Sequence, residues 1–164
     1  MINLPARLVL SDGTIFEGIS VGARGSSVGE LVFNTSMSGY QEILTDPSYA
    51  HQLVMLTTAH VGNVGVNPED MESSRVWAQG LVLQHDITPP SNYRAEQSLA
   101  YFLKKQRVIA IAGIDTRHLT HILRDKGAVS ACITTEIDKL DEAHERAVAY
   151  PGLKGVDLAS LVSR

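Results

Sequence analysis

The chain has 164 residues, 44% of them hydrophobic and 20% charged, with a net charge of −4 at neutral pH. That is enough for one domain with a buried core, and the mild negative charge gives no electrostatic reason to expect nucleic acid or an anionic membrane as partner. No apolar run approaches a transmembrane helix, Met1-Ile2-Asn3 leads into no secretory signal, and a single cysteine forms no internal disulfide, so a reducing cytoplasm is the default.

Ala6 to Leu10 reads as a first strand, and Ser11-Asp12-Gly13 as the hairpin turn that reverses it. Thr14 to Val21 answers it, with Ile15, Glu17, Ile19 and Val21 on one period-2 face. Gly22 to Ser27 connects flexibly to the stretch 29–49, GELVFNTSMSGYQEILTDPSY. Here the strand Leu31-Val32-Phe33 runs into small polar residues, and a break at Met37-Ser38-Gly39-Tyr40 precedes the apolar pair Ile43-Leu44. Thr45-Asp46-Pro47-Ser48 closes the stretch as a type I turn, because Pro47 fixes φ and Asp46 is favoured at its start. So many hydroxyl and amide groups between apolar strands place the working residues on loop tips rather than on helix faces.

Gln52 to Thr58 is nearly all apolar, as for a strand covered on both faces. A loop from His60 to Gly65 and an acidic patch, Glu69-Asp70-Met71-Glu72, lead to a strand over Val76 to Leu83 broken by Gly80. Pro89 to Asn92 stops that segment, and the period then changes. Ala95 to Lys105 has helical spacing in Leu99, Phe102 and Leu103, and Val108 to Ala112 is a buried strand. Asp115 or Thr116 caps a helix with the stripe Leu119, Ile122 and Leu123, ended by Gly127. Val129 to Thr134 is a strand, and Asp138 begins a last helix with Leu140, Ala143, Ala147 and Val148 inward, stopped by Pro151-Gly152. Strands early and β/α alternation late predict a mixed α+β domain.

Single residues carry little chemistry by themselves. Gly22, Gly25 and Gly29 do not have the spacing of a dinucleotide loop, and no Walker A pattern is present. His118 and His121 are three apart on a helix, yet spacing provides no third metal ligand, so they read as polar-face histidines. Cys132 sits in a strand without a glycine elbow and reads as a buried structural thiol. His60 is a loop histidine, and Ser48 taken alone closes a turn with its hydroxyl.

Longer motifs change that reading. GELVFNTSMSGYQEILTDPSY (29–49), HVGNVG (60–65), AQGLVL (78–83) and GIDTRHLTHILRDKGA (113–128) occur in succession, followed by Pro151-Gly152-Leu153 and a closing Gly155 to Leu158. Together they resemble the N-terminal domain of the small subunit of glutamine-hydrolysing carbamoyl-phosphate synthase. The resemblance implies a swivelling β/β/α three-layer domain with mixed sheets and helices in the C-terminal half. It places that domain at 1–155 and the start of a linker to a glutaminase domain at 156–164. It implies a part in a ligase of pyrimidine and arginine biosynthesis, a cytoplasmic heterodimer. There the small subunit releases ammonia from glutamine, and the large subunit combines it with bicarbonate using ATP and Mg.

In that family the serine after Asp-Pro reaches the glutamine site, so the resemblance makes Ser48 substrate-binding. No catalytic or metal-ligating residue is assigned in this chain, nor any cofactor. The catalytic cysteine elbow of the glutaminase domain has no counterpart before Arg164 and Cys132 does not match it, so the segment alone is expected to be inactive. The expected partners are the large subunit, the chain's own glutaminase domain and glutamine. Two other readings stay open: a phosphoryl carrier with His60 as acceptor, in which Asp-Pro-Ser would have no role, and a free-standing interaction module.

Overall fold

The computed structural model of the protein describes residues 4–34, 40–56, 76–84, 99–127 and 129–150. The expectations for Met37 to Gly39, the His60 loop, Glu69 to Glu72, Pro89 to Asn92 and everything after Tyr150 lie outside them. The strands are β1 (Pro5–Leu10), β2 (Ile15–Ser20), β3 (Ser26–Asn34), β4 (Gln52–Leu56), β5 (Gly80–Leu83), β6 (Ile109–Ala112) and β7 (Val129–Thr134). The helices are α1 (Tyr40–Thr45), α2 (Leu99–Lys105), α3 (Thr116–Lys126) and α4 (Leu140–Ala149).

The α+β expectation holds, and the sheet closes on itself as a barrel in the order β1-β2-β6-β5-β4-β3-β7. Strands β3, β4, β5 and β6 run parallel, while β1 pairs antiparallel with β2 and β7, and the pairs β2–β6 and β3–β7 are antiparallel too. Closure removes the exposed strand edges that an open sheet would present.

Alternation along each strand divides the apolar side chains between the barrel interior and its outside. Ala6, Leu8, Leu10, Phe16, Leu53, Met55, Val82, Ile109, Ile111, Ala131 and Ile133 fill the interior together with Leu119 and Leu123, so α3 plugs the barrel. Outside, Val54, Leu81, Leu83, Ala110 and Ala112 pack with Leu44 of α1 and with Phe102 and Leu103 of α2. On another side Val9 and Cys132 lie under Ala143 and Ala147 of α4. Burial of each such Leu, Ile or Phe stabilises the fold by about 1.5–3 kcal/mol before entropy is counted.

Helix α3 forms where its end signals predict. Asp115 accepts the His118 N–H at 3.1 Å, and Gly127 stops the helix at φ +74° while its N–H bonds the Leu123 carbonyl at 2.8 Å. The Asp12 turn is tied to this helix end by a close ion pair between Lys126 Nζ and Asp12 Oδ2. That contact, with the Thr14 N–H, holds the Asp12 carboxyl down at about 2.

Ile15, Glu17, Ile19 and Val21 do share one side of this segment, the outer one, because Phe16 pairs with interior Leu8. Ile15 (46% exposed) and Glu17 are left in water there, and Ile19 and Val21 are packed where the α2 side of the sheet covers them. Three sequence expectations need correction. Gly80 begins β5 instead of breaking a strand; a Cβ there would stand 2.9 Å from the Ile109 carbonyl oxygen and from Leu53 Cδ2. In α4, Val148 is 59% exposed, since the apolar side that α4 lays on the barrel runs through Leu140, Ala143 and Ala147. Finally, Tyr40 to Thr45 within the central stretch are helical, so that stretch is less loop-like than its small residues imply.

Candidate functional site

The Asp46-Pro47-Ser48 turn is a 3-10 helix over Pro47–Tyr49 with Asp46 as its N-cap. Asp46 Oδ1 accepts the Ser48 N–H at 2.9 Å, its carbonyl accepts the Tyr49 N–H at 3.0 Å, and the Pro47 carbonyl accepts the Ala50 N–H at 3.1 Å. With φ of residue 47 restricted by the proline ring, the backbone on both sides of Ser48 is held by these bonds and the ring. Ser48 itself is exposed, and its hydroxyl makes no hydrogen bond among the described residues.

The turn is fastened to the barrel on several sides. Asn34 Nδ2, at the end of β3, donates to the Tyr49 hydroxyl at 2.9 Å. The N–H groups of Trp77 and Ala78 donate to the Leu44 carbonyl at 2.9 and 3.2 Å, and Ala50 forms an isolated antiparallel bridge with Ala78. His51, at φ +68°, turns the chain into β4, and its carbonyl accepts both the Glu30 N–H at 3.2 Å and the Tyr150 hydroxyl at 2.9 Å. Burial, with Glu30 nearby, pushes the Tyr150 phenol above its ordinary range. The result is an uncommitted hydroxyl on a stiff support, able to donate to a carbonyl or accept from an amide.

The other candidates separate. Cys132 is fully buried in β7; burial pushes its thiol up, against a smaller opposing pull from Arg146, so it is an inert structural thiol. His118 and His121 are both exposed on α3, and the His118 ring lies against Phe16 with centroids 5.5 Å apart. Among the described residues no group of three His, Cys, Asp or Glu side chains converges as a metal site. His60 lies outside the described residues. Sequence reasoning missed Asn34, Tyr49 and Trp77, the anchors of the turn. Only the placement of Asn34 directly after an apolar strand hinted at any of them.

Residues 8–133 match the family described as carbamoyl-phosphate synthase small chain, CPSase domain. The carbamoyl phosphate synthase small chain of Vibrio cholerae is 59% identical over 160 residues, which is 96% of this chain and 42% of that protein. Those of Pseudomonas aeruginosa and Ralstonia nicotianae are 56% and 54% identical, each covering 97% of this chain and 42% of the relative. The chain thus spans about two-fifths of the length of the curated relatives it matches. Among the described residues, no helix is long and apolar enough to cross a membrane.

Proposed function

The chain belongs to the carbamoyl-phosphate synthase small-chain family, and from that premise we propose that it acts as the N-terminal domain of such a subunit, an accessory to glutamine hydrolysis. Residues 1–155 are the domain and 156–164 begin a linker to a class I glutaminase domain. The complete subunit hands ammonia to a large subunit, which uses bicarbonate and ATP with Mg to make carbamoyl phosphate in the cytoplasm for pyrimidine and arginine synthesis. The domain also offers part of the docking surface for the large subunit. Cys132, buried and held protonated, is no nucleophile, so the 164-residue chain alone hydrolyses no glutamine. The swivelling β/β/α arrangement is read in the same way. Two facing halves of the barrel serve as the β layers, and α4, packed on β1 and β7, as the third.

Within this reading Ser48 contacts glutamine, and one observation favours the hydroxyl as the contacting group. The Asp46 carboxylate already occupies the Ser48 N–H, whereas the hydroxyl is exposed and unbonded. The substrate is therefore met by the hydroxyl, and the backbone amide serves the turn. A neutral hydrogen bond contributes about 0.5–1.5 kcal/mol net. At 1.4 kcal/mol per factor of ten, Ser48→Ala should raise KM for glutamine about two- to twelvefold with kcat little changed. The test compares glutamine-dependent with ammonia-dependent synthesis in the assembled enzyme. Equal impairment with both nitrogen sources would put the defect in the large-subunit contact and remove Ser48 from the glutamine site.

A further inference from the structure

A second site lies on α3. An open groove of about 500 Å³ runs along that helix beside the end of β5, lined among the described residues by Gln84, Thr116, Arg117, Thr120, His121 and Arg124. Positions 117, 120, 121 and 124 recur at helical spacing on one side, opposite the Leu119 and Leu123 side chains that plug the barrel. No carboxylate lines the groove among the described residues, although the chain as a whole carries a net charge of −4. Neither Arg117 nor Arg124 enters an ion pair among the described residues. Asp115 and Asp125 adjoin the lining residues in sequence but are not part of the lining, and Asp115 accepts the His118 N–H.

Thr116 adds an independent observation. It is only 5% exposed, lines the groove, and its hydroxyl has no hydrogen-bond partner among the described residues. Buried hydroxyls are nearly always satisfied, so one left open at the wall of a groove is explained most simply by a ligand. The Thr120 hydroxyl is turned away to the Thr116 carbonyl at 2.7 Å. That leaves one buried hydroxyl donor in the same groove as two fork-shaped guanidinium groups, the donor set that recognises phosphate and carboxylate oxygens.

We infer that this groove binds an oxyanion, the phosphate or carboxylate group of a small soluble ligand. The two arginines are seven residues apart, about 10 Å along the helix axis, within which both long side chains reach a common anion. The site is separate from Ser48. Gln84 follows the C-terminal end of β5, whereas Ser48 lies two residues before Ala50, which bridges Ala78 at the other end of that segment. Six residues of extended chain put the two about 20 Å apart. The inference stands whether or not Ser48 meets glutamine.

The test is an amide and arginine side-chain NMR titration of the 164-residue protein with inorganic pyrophosphate and, separately, with citrate. Ionic strength is held constant with sodium chloride. The expected result is saturable shifts confined to Gln84 and the α3 groove residues. Binding to both probes assigns general oxyanion recognition, and binding to pyrophosphate alone assigns a phosphate ligand. Arg124→Gln, an exposed change that leaves the core intact, should weaken binding about tenfold or more, and Thr116→Val by a similar factor. Lys105→Gln, exposed on α2, should leave it unchanged. Linear, unsaturable shifts, or equal affinity in the wild type and Arg124→Gln, would overturn the assignment.

Discussion

Removing the Asp46 carboxylate is the sharpest way to separate support of Ser48 from the serine itself. In Asp46→Ala the Ser48 N–H loses its 2.9 Å acceptor, while the Tyr49 and Ala50 N–H bonds at 3.0 and 3.1 Å and the Pro47 ring remain. One bond in three of this turn is lost, which puts the cost near the middle of the range for cap removal, about 1 kcal/mol. If that cost appears as local opening, the competent conformer is depleted and the apparent glutamine affinity falls by at most the same factor, about fivefold. In the complete enzyme KM for glutamine should rise by up to that amount, with kcat and ammonia-dependent synthesis within about twofold of wild type. Asp46→Asn keeps the accepting oxygen and should restore most of the loss. An unchanged KM in Asp46→Ala would show that the turn needs no cap. A lowered KM would show that the freed amide, not the hydroxyl, meets the substrate, and the choice of atom made above would be wrong.

Leu119 is fully buried in the barrel plug, so Leu119→Ala should cost about 2–5 kcal/mol in urea unfolding; a loss under about 1 kcal/mol would mean that α3 does not seal the barrel. Gly80→Ala pushes a methyl to within 2.9 Å of the Ile109 carbonyl oxygen and Leu53, and should cost about 1–3 kcal/mol by the same measurement, whereas a neutral change would contradict the close strand approach. The Asp12 carboxyl is held down at about 2 by Lys126, against an ordinary value of 3.8. Its pair therefore stabilises the fold fully above about pH 4 and is lost as pH falls towards 2. With Lys126 half exposed, the pair contributes at most about 1 kcal/mol. Lys126→Met should destabilise by no more than that at pH 7 and by much less near pH 2; an equal loss at both pH values would show that packing, not charge, is responsible.

The sequence by itself determined the features that depend on neighbours along the chain. Apolar runs located β4 and β6, helical spacing with Asp115 and Gly127 located α3, and Asp46-Pro47 located the turn that displays Ser48. Caps, rings and side-chain periods act within a few residues, so they are legible before folding. The long motifs likewise pointed to the family that the comparisons support.

Which side of an element is covered was decided by partners remote in sequence. Pairing with Leu8 drew Phe16 inward and left Ile15 in water, and the line along which α4 meets β7 left Val148 outside. The approach of β5 to Ile109 and Leu53 made Gly80 a fitting point instead of a break. The bond from Asn34 to the Tyr49 hydroxyl, and the groove shared by Gln84 and α3, exist only because the closed barrel brings separate segments together. A side-chain period tells which residues share a face, but the free energy of covering that face belongs to whatever packs on it, and only the tertiary structure supplies that.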